Sequence, residues 1–514
     1  MHSVLLTSIT YLPLLGAFVI FLMRGSYEEV ARASRWIGLW TSVIVFGLSM
    51  ILWNRFNPSH LGYQFAYQSV WLSGYGVSYH VGVDGISLFF IILSTLLTLI
   101  AVLAAWQMIT DRIREYMIAV LLLETALVGL FSALDMVVFY CFYETTLIPS
   151  TFLIGIWGGP KRIFASLQFF LFTFTGSLFL LIGILWMWAY TGTTDLPVLM
   201  QQNFSPIAQG WLLLGFIVAF GVKLPLFPLH AWLPRTYVEG PAPTTLLVAG
   251  VMSKAGAYGL LRFCIFLLPQ ASHRFSIFIM SLGVVAVIYG AIIAFSQHDV
   301  KKTIAYASFS HMGLIAIGLF SFTAEGMSGA LMQMISHGIV IAALFLCVAA
   351  ITYRAKTRSI DDFGGIAKQM PNLALLAMVF IMANIGLPGT GAFVGELLIM
   401  IGALKVSFWI AILGGSTMVL GAIYTLIFYR KILFGRVLKP AVVQMRDLSL
   451  RELSILVPLA LITLWMGIYP ISFLSVFNPV VHSFIGSQPM PLLTSSTKPI
   501  VVSHVELGDG IPLR

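Results

Sequence analysis

Seven ionisable side chains lie inside apolar stretches that are long enough to cross a membrane. They are Glu124 in LLLETALVG, Glu144 in FYCFYETTLIP, Lys223 in AFGVKLPLFP, Lys254 in GVMSKAGAYG, His311 in ASFSHMGLI, His337 in QMISHGIVI and Glu396 in GTGAFVGELLIM. An ionisable group near the middle of a bilayer costs at least about 2.5–3.5 kcal/mol, so such groups are seldom incidental. Carboxylates, amines and imidazoles that follow one another through a membrane are the groups from which proton paths are built.

These residues also have purely structural explanations. A buried Glu–Lys pair can lock two helices together, which would account for Glu144 with Lys223 and, in the same way, for Lys254. A single histidine in a membrane helix often serves packing only, and Glu124 can bond a hydroxyl on a neighbouring helix. The functional explanation is favoured because a Glu beside a Lys can exchange its partner at modest cost as protons pass.

The composition sets the class of protein that must position these groups. Of the 514 residues, 59% are apolar and only 9% are charged, against roughly 25% charged in an average soluble domain. The mean hydropathy of +0.97 agrees. Polar groups are too few to cover a soluble fold, so the sequence predicts a polytopic integral membrane protein and excludes soluble enzymes and nucleic-acid-binding proteins.

About fourteen segments are long enough to span roughly 30 Å of hydrocarbon. They are predicted near 3–23, 36–53, 86–107, 116–134, 136–157, 165–190, 208–224, 245–267, 275–296, 303–322, 328–352, 372–400, 407–429 and 453–476. No basic region or small-residue cleavage site precedes the first segment, so it is interpreted as a retained helix rather than a signal peptide.

The basic residues predict the orientation of these segments. Twenty of the 28 Lys and Arg residues fall in the loops that follow odd-numbered segments, and five fall on the opposite side. Because Lys and Arg collect in cytoplasmic loops, both termini are expected outside the cytoplasm, and the net charge of +9 needs no anionic partner. Arg262 lies near a helix end, from which its side chain could reach the membrane surface.

Two segments are interrupted beside a charged residue. Pro225, Pro228 and Pro234 follow Lys223, and a Gly/Pro-rich stretch, Gly386–Gly391, precedes Glu396. Proline removes a backbone donor, and the freed carbonyls of a broken membrane helix need protein or water as partners. Paired broken helices in two halves of a chain indicate the inverted repeats of transporters.

Other chemistry is not encoded by any recognisable motif. Cys141, Cys264 and Cys347 lie far apart in apolar runs, so they predict neither disulfides nor an iron–sulfur cluster. The Gly389–Thr390–Gly391 stretch is not a dinucleotide loop, since it follows no strand. Zinc-protease, Walker A and C-x-x-C patterns do not occur. The sequence therefore predicts no cofactor-binding site, metal site or redox centre on this chain.

Long motifs carry a resemblance to a known family. From GVDGISLFF through YETTLIPSTFLIGIWGGP and GVKLPLFPLHAWLP to IGLPGTGAFVGE, the sequence resembles the antiporter-like membrane subunits of respiratory complex I, the proton-pumping NADH:quinone oxidoreductase. It is most similar to the chain M type, the counterpart of mitochondrial chain 4. Chains L and N and the Mrp-type antiporter subunits usually have lysine in the twelfth helix, where this chain has Glu396.

The resemblance implies an architecture and a proton path. The fold would be all-α, with about fourteen transmembrane helices and two inverted five-helix repeats that each contain a broken helix. The expected units are 1–115 (helices 1–3), 116–267 (first repeat), 268–430 (second repeat) and 431–514 (helix 14 and tail). The implied proton path consists of Glu144, Lys223, Lys254, His337 and Glu396, with Glu124, His230 and His311 as auxiliary residues.

The resemblance also implies a setting. The chain would lie in a bacterial inner membrane beside other membrane-arm subunits, flanked by the L-type and N-type chains and by lipid. NADH, FMN, iron–sulfur clusters and quinone would belong to the whole complex, with no cofactor on this chain. One departure stands out: after HAWLP the family usually has Asp-Ala-His, whereas this chain has Arg235, Thr236 and Tyr237.

Three alternatives stay open at this point. The chain could be a subunit of an Mrp-type cation/proton antiporter, although Glu396 argues against this. It could be a membrane subunit of an energy-converting hydrogenase. It could also be a scaffold within complex I whose proton path is vestigial, because the turn at Arg235–Tyr237 is altered.

Overall fold

The computed structural model describes residues 2–435 and 440–487. Nearly all of its secondary structure is helical, which confirms the predicted class of α-helical membrane protein. Helices form because backbone polar groups in hydrocarbon must be satisfied within their own segment. The predicted C-terminal tail lies outside the described residues, as do four of the Lys and Arg residues counted above, Arg436, Lys439, Lys498 and Arg514.

The first part of the chain contains four helices and a hairpin. The elements are α1 (His2–Leu22), α2 (Tyr27–Arg55), β1 (Gln64–Leu72), β2 (Val77–Val83), α3 (Ser87–Met108) and α4 (Ile113–Ser132). Ser26 and Glu29 form a capping box at the start of α2. The antiparallel hairpin, whose turn has Gly76 at φ +63°, is a feature that the sequence did not predict.

The middle of the chain carries the first interrupted segment. Its elements are α5 (Met136–Thr145), α6 (Leu147–Trp157), α7 (Arg162–Thr191), α8 (Leu196–Leu199), α9 (Pro206–Lys223), α10 (Leu233–Glu239), α11 (Ala242–Leu247), α12 (Ser253–Gly259) and α13 (Pro269–Arg274). Two π-helical stretches, Val248–Met252 and Leu260–Phe266, flank α12. A single span, Ala242–Phe266, thus changes its helical pitch on both sides of Lys254.

The last part carries the second interrupted segment. Its elements are α14 (Ser276–Phe295), α15 (Val300–Leu319), α16 (Ala324–Ala355), α17 (Ile366–Gln369), α18 (Pro371–Ile385), α19 (Gly391–Val406), α20 (Phe408–Leu433), α21 (Pro440–Val443), α22 (Leu450–Ile468) and α23 (Ile471–Ser487). The predicted segment 453–476 was wrong in one respect: the helix ends before Pro470, and α23 starts anew. Proline cannot donate the backbone bond that would continue α22.

Twelve of the described helices are long and apolar enough to cross a membrane. Two of the fourteen predicted segments are not among them. α15 begins with two lysines and contains several hydroxyl groups, and the segment predicted at 372–400 is divided into α18 and α19. The count of fourteen spans, the two inverted repeats and the four predicted units therefore stay predictions.

Both predicted interruptions are present. α9 ends at Lys223, and nine residues without regular helix lead to α10. α18 ends at Ile385, and α19 begins at Gly391, five residues before Glu396. The proline and glycine clusters therefore end helices beside the two charged residues, as expected.

The core lies around α16, which is buried along its most apolar stretch, as is the Ala242–Phe266 span. Gly250 and Gly338 allow these two helices to approach closely. A Cβ on Gly338 would lie 2.7 Å from the Gly250 carbonyl oxygen. Small residues at such a crossing bring backbones together inside a membrane, where side-chain packing drives association. The approach holds Lys254 and His337 on facing helices.

Loops collect at two ends of the bundle. At one end, here called the basic end, Arg358 lies 3.7 Å from Glu239 and 3.5 Å from Asp299, and Arg354 pairs with Glu452 at 2.8 Å. At the opposite end, the β-hairpin contacts the loop before α8, where His80 Nδ1 lies 2.6 Å from Asp195.

Candidate functional site

Lys254 and His337 form the centre of the site. The Lys254 amine is fully buried, and its Nζ lies 2.7 Å from the Ala249 carbonyl oxygen, 3.3 Å from Ser253 Oγ and 2.9 Å from His337 Nδ1. An ammonium has three donors, so these three acceptors satisfy the charged form. His337 Nδ1 then accepts, which places the ring proton on Nε2. The geometry therefore aligns an amine, an imidazole acceptor and an imidazole donor.

His311 and Glu396 continue this arrangement. The rings of His337 and His311 have centroids 5.4 Å apart, and His311 Nδ1 lies 3.3 Å from Glu396 Oε1. Gln333 donates to the same carboxylate oxygen at 3.2 Å. Glu396 is completely buried. Four helices, α12, α16, α15 and α19, thus contribute one ionisable group each to a file, which we call the central file: Lys254, His337, His311 and Glu396.

Polar atoms along the central file have unused hydrogen-bonding capacity. Among the residues that the structure describes, four buried atoms on or beside it have no hydrogen-bond partner: His337 Nε2, Glu396 Oε2, Gln333 Oε1 and Ser336 Oγ. Buried polar atoms are nearly always satisfied by protein or ordered water. Each of these atoms can therefore make one more hydrogen bond than the described structure gives it.

The interruption between α18 and α19 holds Glu396 in place. Gly386 has φ +81°, a conformation that side-chain-bearing residues rarely adopt, and a Cβ on it would lie 2.5 Å from Glu396 Oε2. The carboxylate therefore occupies the space that a larger residue at 386 would need. This explains why glycine stands at the break.

Lys223 and Glu144 lie in a second group. Lys223 Nζ donates to Thr146 Oγ1 at 2.9 Å and lies 4.3 Å from the centre of the Tyr143 ring. Glu144 is half-buried and faces Ser177 on α7. Within the described chain no nitrogen–oxygen distance of 4.0 Å or less joins Glu144 to Lys223, so the expected pair is not in direct contact. Thr146 takes the place of the carboxylate.

The remaining auxiliary residues lie apart from these groups. Glu124 on α4 is completely buried, and neither of its carboxylate oxygens has a hydrogen-bond partner in the described part of the chain. The alternative that it bonds a hydroxyl on a neighbouring helix is therefore wrong for this structure. His230 lies within the first break and stacks on Phe309, with ring centroids 4.2 Å apart.

A buried ion pair was missed by the sequence analysis. Arg262 is 2% exposed and pairs with Asp84, so the expectation that it reaches the membrane surface is wrong. Burial by itself would raise the pKa of Asp84, but the Arg262 guanidinium and the hydrogen bonds from Ser87 together outweigh burial and lower that pKa below its ordinary value. The available signal was an aspartate immediately before an apolar run, in GVDGIS.

The unusual turn at Arg235–Tyr237 forms part of α10 and has two faces. Arg235 points outward, donates to Gln168 at 3.0 Å and lies 4.8 Å from the Phe164 ring centre. Thr236 and Tyr237 are 1% and 0% exposed. The turn is therefore basic on its surface and carries hydroxyl groups on its inner face.

The described residues contain no arrangement suited to a metal ion. Over residues 2–435 and 440–487, no group of three or more His, Cys, Asp or Glu side chains could hold a metal ion. Cys264 and Cys347 are buried free thiols, and Cys141 is an exposed one.

Comparisons with known proteins identify the family of this chain. The family model described as NADH:quinone oxidoreductase/Mrp antiporter, TM, matches residues 133–421, which include the whole central file, Glu144 and Lys223. NADH-quinone oxidoreductase subunit M of Rhodobacter capsulatus is 40% identical over 95% of this chain and 98% of its own length. NADH-ubiquinone oxidoreductase chain 4 of Chondrus crispus is 40% identical over 92% and 96%.

A solved structure extends the comparison to the fold. A chain of respiratory complex I from Thermus thermophilus with bound NADH superposes with a TM-score of 0.86 and 32% identity, over 94% of this chain and 99% of that one. Similarity therefore covers nearly the whole of both chains. The chain belongs to the NADH:quinone oxidoreductase/Mrp antiporter family of membrane proteins, in its subunit M/chain 4 branch.

Proposed function

We propose that the chain is a proton-translocating membrane-arm subunit of an NADH:quinone oxidoreductase, driven by quinone reduction in other subunits. The observation that carries this proposal is the central file, in which Lys254 Nζ lies 2.9 Å from His337 Nδ1 and His311 Nδ1 lies 3.3 Å from Glu396. The central file lies in a chain that is 40% identical to an NADH-quinone oxidoreductase subunit M. The names of the similar relatives support this function over an Mrp-type antiporter.

The chemistry of the central file is a relay. Lys254 gives a proton to His337 Nδ1, and the imidazolium releases its other proton from Nε2 toward His311. His311 passes a proton from Nδ1 to the Glu396 carboxylate, which returns each imidazole to its neutral form. An imidazole suits this role because its two nitrogens accept and release at opposite edges of one ring.

Glu144 and Lys223 act before the central file. A cytoplasmic proton is taken up near them, and Lys223 alternates between Thr146, its partner in this structure, and Glu144. The change of partner gates the path. A gate is required because one charge moving against 100 mV costs about 2.3 kcal/mol, so an open path would dissipate the gradient.

The setting follows from the charge distribution and the relatives. The basic end faces the cytoplasm, both termini lie on the other side, and the proton leaves near Glu396. The host is a bacterial inner membrane, which fits the similarity to a subunit M of Rhodobacter capsulatus. L-type and N-type chains flank the subunit, and the electron-transfer cofactors reside in other subunits.

A purification experiment tests the assignment. A tag on this chain, extraction in mild detergent and native electrophoresis with an NADH-oxidation stain should place it in a very large NADH-oxidising assembly. Proton uptake by membrane vesicles is then compared between the parent complex and Glu396→Gln, which keeps the side-chain shape but cannot carry the proton. Migration in a smaller assembly without NADH oxidation would overturn the proposal, and the co-purifying subunits would then identify an antiporter or a hydrogenase.

A further inference from the structure

A cavity of about 770 Å³ opens at the basic end, between α10 and the first turns of α7 and α15. This volume lies within the range of roughly 300–1,000 Å³ that is usual for binding sites of small molecules. Two carboxylates line the cavity, and so do four cationic side chains: Glu239 and Asp299, against Lys161, Arg235, Lys302 and Arg358. Four cations against two carboxylates leave an excess of positive charge.

Both carboxylates of the cavity are already engaged. Arg358 lies 3.7 Å from Glu239 and 3.5 Å from Asp299. Asp299 also caps the start of α15. The other three cations are exposed and have no ion-pair partner among the residues that the structure describes: Lys161, Arg235 and Lys302. The orientation rule for membrane proteins explains why cations collect at one end, but it does not require three of them to line one cavity.

Arg235 connects the cavity to the outer face of α7. Its guanidinium lies 4.8 Å from the centre of the Phe164 ring and donates to Gln168 at 3.0 Å. A guanidinium has five N–H donors in a planar fork that matches a phosphate, and Gln168 takes one of them. The related chains usually have aspartate at this position, so this chain has a cation where an acidic group is usual.

An exposed apolar row continues from the cavity along α7. Its members, which we call the α7 row, are Phe164, Leu167, Leu171 and Phe174. Intervals of three and four residues place them on one face of the helix. The row covers about 15 Å at 1.5 Å per residue, and one leaflet is half of about 30 Å of hydrocarbon. The α7 row is therefore as long as the acyl region of one leaflet.

We propose that the cavity binds the headgroup of an anionic phospholipid whose acyl chain lies along the α7 row. The phosphate lies against the Arg235 guanidinium, and Lys161 and Lys302 add positive charge around it. A free anion would use the cations but not the row. A zwitterionic lipid would use the row but would bring its own cation beside these three. An anionic phospholipid matches both features, and this inference does not depend on proton translocation.

A lipid titration tests the site in the intact, tagged assembly. The detergent-exchanged assembly is titrated with fluorescent phosphatidylglycerol, and phosphatidylcholine with the same acyl chains is the zwitterionic probe. We expect Arg235→Gln and Lys302→Gln each to weaken phosphatidylglycerol binding about fivefold, the effect of one cation near an anionic lipid. Lys431→Gln is the matched control, because Lys431 is an exposed lysine at the end of α20 that does not line the cavity.

Phosphatidylglycerol binding should be unchanged in Lys431→Gln, and phosphatidylcholine should bind more weakly and equally in all variants. An equal loss in Lys431→Gln would show attraction to the overall charge and would overturn the site. Displacement of the lipid by inorganic phosphate at the same concentration would show a site for a free anion, which would also overturn it.

A density map of the parent assembly in phosphatidylglycerol nanodiscs gives an independent test. It should show a phosphate within hydrogen-bonding distance of the Arg235 guanidinium and an acyl chain along the α7 row. Density for a side chain of a neighbouring subunit in the cavity would show that a protein partner neutralises the three cations. That result would reject the lipid site.

Discussion

Lys254 Nζ lies 2.9 Å from His337 Nδ1, and the same amine finds its two other acceptors in Ala249 and Ser253. The Ala249 carbonyl belongs to a π-helical stretch, Val248–Met252. A local change of helical pitch thus provides one acceptor, and the facing helix provides the imidazole. A protonated Lys254 has an acceptor for each of its three donors, and one of these acceptors is a base that can take its proton.

Replacing this lysine should uncouple the complex. Lys254→Met keeps the length of the side chain and removes the group that delivers a proton to His337. We expect assembled complex that oxidises NADH but translocates fewer protons per NADH, measured by dye quenching in inverted vesicles. Lys405→Met is the control, because Lys405 is 52% exposed and pairs with Glu325 away from the central file. Equal proton ratios in both variants would remove Lys254 from the path.

Much of this arrangement could be predicted, for identifiable reasons. Membrane segments follow from apolar length, and the breaks after Lys223 and before Glu396 follow from clustered proline and glycine. The π-helical stretches beside Lys254 could not be predicted, since apolar length predicts a membrane segment without indicating a local change of helical pitch. The hairpin at Gln64–Val83 could not be predicted from hydropathy, because hydropathy identifies membrane segments and gives no signal for strands in the loops between them.

The site was predicted as a set of residues but not as a set of contacts. The charged members were found because ionisable groups are rare in apolar helices. Thr146 and Gln333 were missed because uncharged polar residues are common in such helices and carry no signal alone. Arg262 was misplaced because its partner, Asp84, lies 178 residues away in sequence, and only the fold brings the two together.

Two glycines at the second break allow a controlled test of Glu396 placement. Gly386→Ala and Gly389→Ala both impose a side chain at positive φ, +81° and +92°, so each should lower the free energy of unfolding by about 1–2 kcal/mol. Only the first places a Cβ 2.5 Å from Glu396 Oε2, while a Cβ at 389 meets nothing within 4 Å. We therefore expect proton translocation to fall in Gly386→Ala alone. Thermal unfolding and vesicle pumping measure the two effects, and matched pumping in the two variants would contradict this account of the break.

The Asp84–Arg262 pair should stabilise the fold without taking part in transport. Asp84→Asn leaves a buried guanidinium without its carboxylate, which costs about 3–5 kcal/mol. The pKa of Asp84 is below its ordinary value of 3.8. The pair therefore gives its full stabilisation above that pH, and this stabilisation is lost only in stronger acid.

The loss of stability in Asp84→Asn should therefore be the same at about pH 5.5 and about pH 8, measured by thermal unfolding in detergent. Asp361→Asn is the control. The side chains of Asp361 and its partner His298 are 63% and 81% exposed, and exposed ion pairs contribute little to stability. If Asp84→Asn lowered the free energy of unfolding less at about pH 5.5 than at about pH 8, the carboxyl group of Asp84 would already be protonated at the lower pH.

Glu144 offers the sharpest test of the group that it forms with Lys223, because its half-buried carboxylate has an unpartnered oxygen, Oε1, in the described structure. Glu144→Gln keeps the shape and removes the charge that Lys223 must find when it leaves Thr146. Without that second partner the lysine has one stable position, so the gate cannot cycle. We expect translocation to stop while NADH oxidation chemistry continues in its own subunits.

The control is Glu325→Gln, the same chemical change at a 36% exposed glutamate outside the path. Normal pumping by an assembled Glu144→Gln complex would show that Lys223 needs no carboxylate partner and would remove Glu144 from the gate.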